Sequence, residues 1–214
     1  DMSRWKMVVD SLRKEKLTDA EDDLLLYGEY GLIGYLIGND QKDVAKPELA
    51  LFESHIASRM KKQPGEATLH AFKAASVGFA IGLQPWKAIS LGSESQSEVE
   101  KAMSHRVNEP LPLCEWANSL YYRPSFAGGD KVKAIRLYEQ ALSIYREEDA
   151  DHWMYLSVSA LLGQIYARRG DKEAARRLYI RVLKENPDFI WVRNELLPAL
   201  DSKKTSTPFY ESFL

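Results

Sequence analysis

The side chains that most often carry chemistry are few in this sequence and are scattered along it. The four histidines, His55, His70, His105 and His152, do not show the spacing by which zinc sites pair their ligands. Cys114 is the single cysteine, which excludes an intramolecular disulfide and a structural zinc site of several thiolates. We therefore expect neither a metal site nor a cofactor.

Two clusters carry residue types that occur in catalytic or phosphate-binding sites. The acidic run 21–23 could act in acid–base chemistry, but it follows Thr18 at the spacing of a helix N-terminus, where the helix dipole favours carboxylates. Gly28, Gly31 and Gly34 recur every third residue inside an apolar helical pattern, so we expect a closely packed neighbouring helix there and not a phosphate-binding loop. Because glycine-flanked nucleophiles and histidine pairs at helical spacing are also missing from the sequence, it predicts a protein that is not an enzyme.

Composition narrows the class of partner. The 214 residues are 45% hydrophobic and 28% charged, and 29 basic against 31 acidic side chains leave a net charge of −2. A nucleic-acid-binding chain is usually markedly basic, so we expect no nucleic-acid partner, and we interpret the basic pairs 168–169 and 176–177 as solvated helix surface. The sequence lacks an apolar run of the roughly 18 residues that cross a bilayer, so we expect no membrane span.

One internal self-match organises the chain. Seven residues recur at an offset of 41. The matching pairs are Gly129 and Gly170, Asp130 and Asp171, Lys131 and Lys172, Ala134 and Ala175, Leu137 and Leu178, Tyr138 and Tyr179, and Leu142 and Leu183. Such a repeat indicates stacked pairs of helices, and because period-two alternation is missing, the sequence predicts an all-α fold.

Helix start and stop signals divide the chain into elements. We predict helices over residues 5–12, 24–37, 47–62, 67–83, 93–106, 113–122, 130–145, 153–169 and 172–185. Thr18 is expected to cap the second helix, and Pro47 is expected in the first turn of the third. A last apolar stripe of Phe189, Val192, Leu196 and Leu200 predicts a helix that Pro198 disturbs near its end.

The last helix pair resembles the tetratricopeptide repeat family. That family's order of Leu-Gly, aromatic, Ala, aromatic and Pro is followed by Leu162, Gly163, Tyr166, Ala175, Tyr179 and Pro187, whereas Ser159 and Val182 depart from it. The preceding pair matches through Gly129, Ala134, Tyr138 and Ala141. The resemblance implies a right-handed α–α superhelix, a solenoid of about four helix pairs with terminal capping helices.

The resemblance also implies an order of segments. We expect an N-terminal helix and degenerate repeat-like helix pairs over residues 1–110, two recognisable repeats over 111–187, a C-terminal capping helix over 188–203 and a tail over 204–214, in one continuous domain. The phrases 82–88, 121–124 and 189–196 also resemble exported repeat proteins of Bacteroidetes-type bacteria. Together with a start at Asp1, which implies trimming on export or during cloning, they predict a periplasmic or secreted protein, with the cytoplasm as the alternative.

Members of this family bind peptides on the concave face lined by the first helix of each pair. The resemblance places seven residues on that face: Trp116, Leu120 and Arg123 in one repeat, and Ser157, Ala160, Gln164 and Arg168 in the next. Arg123 either forks onto a carboxylate of the partner or ties down the long loop 123–129 through backbone carbonyls. The resemblance therefore predicts a non-enzymatic scaffold or adaptor that binds a protein or peptide.

Two alternative functions remain open from sequence. A homo-oligomer is the first, because the glycine face of residues 28–34 or the stripe of residues 189–200 could pair with a second copy. A domain that binds a small molecule or lipid is the second, because Trp86, Trp116, Tyr121 and Tyr122 could form an aromatic site. Trp86, Trp153 and Trp191 are either exposed stacking platforms or residues that fasten one helix pair to the next.

Overall fold

Helices make up nearly all of the computed structural model, which describes residues 2–105, 109–148 and 152–202. The first unit contains α1 (Met2–Leu12), α2 (Asp19–Gly38), α3 (Lys42–Lys62), α4 (Ala67–Leu83), a 3₁₀ turn (Pro85–Lys87) and α5 (Ala88–His105). The second contains α6 (Pro110–Tyr122), a 3₁₀ turn (Ser125–Ala127), α7 (Lys131–Glu148), α8 (Trp153–Arg168), α9 (Lys172–Glu185), a π-helical turn (Val192–Leu196) and α10 (Leu197–Ala199). Consecutive helices pair as α2 with α3, α4 with α5, α6 with α7 and α8 with α9. The predicted all-α, repeat-like fold is confirmed, and the predicted tail 204–214 lies outside the described residues.

The start of α2 follows from its capping residues. The Thr18 hydroxyl accepts a hydrogen bond from the Glu21 backbone at 3.4 Å, and the Glu21 carboxylate accepts one from the Thr18 backbone at 2.8 Å. This reciprocal capping box satisfies two N–H groups that lack partners within the helix. The predicted cap is confirmed, and it gives Glu21 a structural role.

The third helix begins earlier than the sequence predicts. Asp40 adopts the left-handed conformation (φ 57°) and turns the chain so sharply that α3 starts at Lys42, which places Pro47 in its second turn. The expectation that Pro47 occupies the first turn is wrong. The proline is tolerated there because the bond it forfeits would go to the carbonyl of Asp43, close to the exposed start of the helix.

The glycines of α2 allow neighbouring helices to approach. A Cβ atom on Gly28 would lie 3.1 Å from Val9 of α1, and the Gly28 carbonyl accepts a 2.8 Å hydrogen bond from the Trp5 indole. A Cβ on Gly34 would lie 3.8 Å from the Phe79 ring of α4. The expected close packing is confirmed at Gly28, whereas at Gly34 the distance is an ordinary van der Waals contact; both glycines face other helices of their own unit.

A buried ionic network joins α2 and α3 to α1. Glu29, only 1% exposed, accepts hydrogen bonds from Arg13 Nε and His55 Nδ1, both at 2.8 Å. The other ring nitrogen of His55 lies 2.9 Å from Asp22, whose second oxygen accepts a 2.8 Å bond from Arg59. Burial alone would lower the pKa of His55, but the Glu29 and Asp22 carboxylates outweigh it and raise the pKa above its ordinary value. His55 and Asp22 therefore hold helices together.

Packing explains why the Leu-Gly pair of the second unit has a glycine at residue 163. A Cβ atom on Gly163 of α8 would lie 2.2 Å from Cε1 of Tyr179 on α9. The Tyr179 ring is buried against α8, and its hydroxyl donates to the Ala160 carbonyl at 3.5 Å. Only glycine leaves room for this aromatic ring, so the two helices of this pair lie unusually close.

The loop between α6 and α7 is closed by its own backbone. Gly128 has φ 92°, and a Cβ on Gly129 would lie 1.9 Å from the Arg123 carbonyl oxygen, so both positions favour glycine. The Asp130 amide donates to the Leu120 carbonyl at 3.0 Å, and the Asp130 carboxylate caps the first turn of α7. These bonds fix the entry of α7 relative to α6.

The last helical segment packs on α8 and α9. Val192, Leu196 and Leu200 share a buried cluster with Ala160 and Tyr179. A π-helical turn lies directly before Pro198, where the sequence predicts a disturbance. Because the stripe of residues 189–200 is used in this core, it no longer motivates pairing with a second copy. None of the helices in the described ranges combines the length and apolar character that a bilayer crossing requires.

Candidate functional site

The predicted residues of α8 lie along one side of the helix. Ser157, Ala160, Gln164 and Arg168 follow one another at spacings of three or four, and we call them the α8 stripe. Ala160 is fully buried, so it has no exposed surface that a partner could contact. Ser157 is half-buried, and Arg168 is exposed at the end of the helix.

Gln164 is the unusual member of the α8 stripe. Its side chain is 6% exposed, and neither its amide nitrogen nor its amide oxygen has a hydrogen-bond partner among the described residues. Leaving a buried polar group without a partner costs about 1–3 kcal/mol. Arg168, one turn further along, forms no ion pair with the described residues. The stripe therefore combines an unsatisfied amide with a free cation.

The predicted residues of α6 form a matching set with different surroundings. Trp116, Leu120 and Arg123, the α6 stripe, lie at spacings of four and three. Lys133 of α7 sits 3.9 Å above the Trp116 ring, which occupies one aromatic face with a cation–π contact. Leu120 is buried and belongs to the interior of the unit.

Arg123 has a partner in its own helix. Its Nη2 donates a 2.8 Å hydrogen bond to the hydroxyl of Ser119, one turn earlier. The loop that follows is closed by backbone hydrogen bonds within residues 120–130. The guanidinium is half-buried at the end of α6.

The aromatic residues considered for a small-molecule site do not share one environment. Trp86 is 68% exposed on the 3₁₀ turn before α5, so it does not fasten helix pairs together. Tyr121 and Tyr122 pack edge to face at 5.1 Å, and Lys131 lies 5.4 Å from the Tyr121 ring centre. Trp191 packs against the C-terminal core.

The histidines described by the structure also have structural partners. His70 Nδ1 lies 2.6 Å from the Glu98 carboxylate and its Nε2 lies 3.0 Å from the Pro64 carbonyl. His152 caps α8 by accepting from the Met154 amide at 3.2 Å. Among the described residues, the side chains of histidine, cysteine, aspartate and glutamate form no group that could hold a metal ion.

A separate cavity of about 360 Å³ lies between α7, α8 and α9. None of the seven predicted residues lines it. Three arginines do, and sequence reasoning missed them: Arg146, Arg177 and Arg181. The available signal was the spacing of Arg177 and Arg181, which puts both on one face of α9.

Comparison with known proteins bears on part of this unit. Residues 127–184 match a family model described as tetratricopeptide repeat. The match covers α7, α8 and α9, so it includes the α8 stripe and leaves out the α6 stripe. No curated protein and no solved structure matches the chain.

The match has a direct consequence for function. Tetratricopeptide repeats are in general protein–protein interaction scaffolds and are typically not enzymes. The further resemblance to exported proteins stays a prediction. The packing of Tyr179 against Gly163 lies within the matched segment, so the structure and the family model agree that residues 127–184 form a tetratricopeptide repeat segment.

Proposed function

We propose that the second unit binds a peptide segment of a partner protein along the α8 stripe and acts as a non-enzymatic scaffold. The observation that carries this proposal is Gln164, whose buried amide lacks a hydrogen-bond partner in the part of the chain that the structure describes. An amide both donates and accepts, as does a peptide backbone, so one glutamine can pair with a backbone N–H and C=O at once.

The Gln164 amide would give up no hydrogen bond with a described residue on meeting a partner. A side chain that forms internal hydrogen bonds must break them before it meets a ligand, whereas Gln164 has none to lose. Rotation of its flexible side chain toward Ser157 and Arg168 would exchange an unsatisfied buried position for a bonded one. Binding would then supply the hydrogen bonds that the Gln164 amide lacks in the free protein.

Arg168 supports the same surface by its charge. Its guanidinium is exposed and unpaired among the described residues, and it lies one helical turn from Gln164. A guanidinium binds carboxylates with paired hydrogen bonds, so a peptide with an acidic side chain or a free C-terminus would suit this end of the stripe.

The test is a selection of binding peptides from a random library on the immobilised full chain, followed by titration of the best peptide. We expect Gln164→Met, which keeps the length of the side chain, and Arg168→Ala each to weaken binding by about tenfold, the loss of one or two hydrogen bonds. Gln140→Met and Arg136→Ala, on exposed positions of α7, are the matched controls.

Two results would contradict the proposal. One is that no peptide is enriched over a blank support. The other is that the selected peptide binds the two α8 variants as tightly as it binds the control variants.

A further inference from the structure

The groove between α7, α8 and α9 is a second surface of the same unit. Its cavity of about 360 Å³ has an apolar floor formed by the buried residues Leu142, Leu162 and Leu178. The α8 stripe does not contribute to it. A space of this size accommodates one or two side chains of a partner, and the leucine floor favours an apolar one.

The wall of the groove carries more positive than negative charge, because three arginines line it and Glu139 is the one acidic residue among the lining residues. Arg146 of α7 donates to Glu185 at 2.7 Å, but Arg177 and Arg181 of α9 have no side-chain hydrogen bond or ion pair in the described ranges. These two arginines lie four residues apart on one helix face. Like charges at that spacing destabilise a helix, so their position has a cost in the free protein.

The whole of α9 shows the same concentration of charge. The helix carries five basic and two acidic side chains, in a chain whose net charge is −2. Lys184 extends the row of Arg177 and Arg181 by almost one turn, and it too forms no ion pair with the described residues. Lys172 and Arg176, by contrast, bond to the C-terminal segment at Leu200 and Asp201.

The acidic groups of the groove already have partners. Glu139 accepts a hydrogen bond from the Tyr166 hydroxyl, and Glu185 accepts one from the Tyr155 hydroxyl in addition to that from Arg146. Burial, together with these carboxylates, raises the pKa of both tyrosines, so they stay protonated and keep donating. The two free arginines are therefore available to an anion from outside.

We propose that this groove binds an acidic peptide segment of a partner protein, with carboxylates on Arg177 and Arg181 and an apolar side chain on the leucine floor. Charge complementarity selects the acidic character, because guanidinium groups bind carboxylates in paired geometry. The apolar floor selects a peptide over a bare anion, because an inorganic ion would leave the leucines without contact.

The test uses fluorescence anisotropy on the full chain with a labelled short peptide of alternating glutamate and leucine. The same peptide with glutamine in place of glutamate measures the contribution of charge. The groove variant is Arg177→Ala/Arg181→Ala, and the matched control is Arg136→Ala/Arg193→Ala, which removes two exposed arginines outside the groove. Urea unfolding checks the fold, and the groove variant should be at least as stable as the wild type because it removes a repulsion.

We expect the glutamate peptide to bind the wild type and the control equally, and to bind the groove variant at least about tenfold more weakly. The glutamine peptide should not bind, and Arg168→Ala should weaken binding of the glutamate peptide less than the groove variant does, which separates this site from the α8 stripe. Equal weakening in the control would show unspecific attraction and overturn the proposal. It would also be overturned by absence of binding, or by inorganic phosphate displacing the peptide as effectively as the unlabelled peptide does.

Discussion

Single residues of this chain show why some positions can be predicted from sequence and others cannot. Gly163 is predictable because the repeat pattern names it, and the structure supplies the reason in the Tyr179 ring. Gln164 was predicted as a surface position, but its burial without a partner depends on the packing around it. His55 gave no sequence signal, because Asp22 and Glu29 lie 33 and 26 residues away.

The contact of Gly163 with Tyr179 yields a prediction about stability. Gly163→Ala should destabilise the second unit by about 1–3 kcal/mol, because the added methyl group overlaps a buried ring that cannot move aside. Gly92→Ala is the control: nothing lies within 4 Å of its Cβ position inside α5, so it should stabilise by up to about 1 kcal/mol. Urea denaturation followed by circular dichroism measures both. Equal effects of the two substitutions would contradict the packing argument.

The raised pKa of His55 yields a prediction about pH. Its folded pKa lies above the unfolded value of about 6.5, so protonated His55 stabilises the fold fully below that pH, and the stabilisation is lost as the pH rises through the folded pKa. The free energy of unfolding should therefore fall more steeply above about pH 6.5 in the wild type than in His55→Gln. The pKa values of Asp22 and Glu48 are lowered in the folded protein. The stabilisation from these two carboxylates is therefore lost as the pH falls through their folded pKa values, which is in the acidic range. Parallel curves for the two proteins would show that His55 does not titrate with folding.

At the scale of elements, features that depend on neighbouring residues could be predicted from the sequence, whereas features that depend on the packing of several helices could not. The cap at Thr18 and the apolar stripe of the last helix each depend on residues close together in the sequence, and both predictions are confirmed. The start of α3 was missed because Asp40 in the left-handed conformation has no strong sequence signature, whereas Pro47 gives a misleading one. The groove beside α9 was missed because it needs three helices to form.

The capping box of α2 gives the prediction at this scale. Thr18→Ala removes the hydroxyl that accepts from the Glu21 amide and should cost about 1 kcal/mol of unfolding free energy. Thr18→Ser keeps an equivalent hydroxyl and should stay within a few tenths of a kcal/mol of the wild type. Chemical denaturation of the wild type and the two variants measures these differences in the free energy of unfolding. A serine variant as weak as the alanine variant would mean that the cap is not the cause.

At the scale of the molecule, both proposed binding surfaces lie in the second unit. Each of the two units is built from helix pairs. In the first unit, the buried ionic network gives a structural role to Asp22 and His55, which belong to residue types that often act in catalysis. In the second unit, the buried amide of Gln164 has no hydrogen-bond partner among the described residues, and the exposed Arg177 and Arg181 form no ion pair with them. A stable scaffold with unsatisfied polar surfaces is what a binding protein requires.

The most direct measurement is the urea unfolding of the wild type and of Gln164→Met, each with and without the peptide selected on the wild type. We predict that the variant is more stable than the wild type by about 1 kcal/mol without peptide, because it removes the unsatisfied amide. The peptide should then stabilise the wild type more than the variant, by up to about 1.4 kcal/mol for tenfold weaker binding. A less stable variant, or one that the peptide stabilises as much as the wild type, would contradict the account.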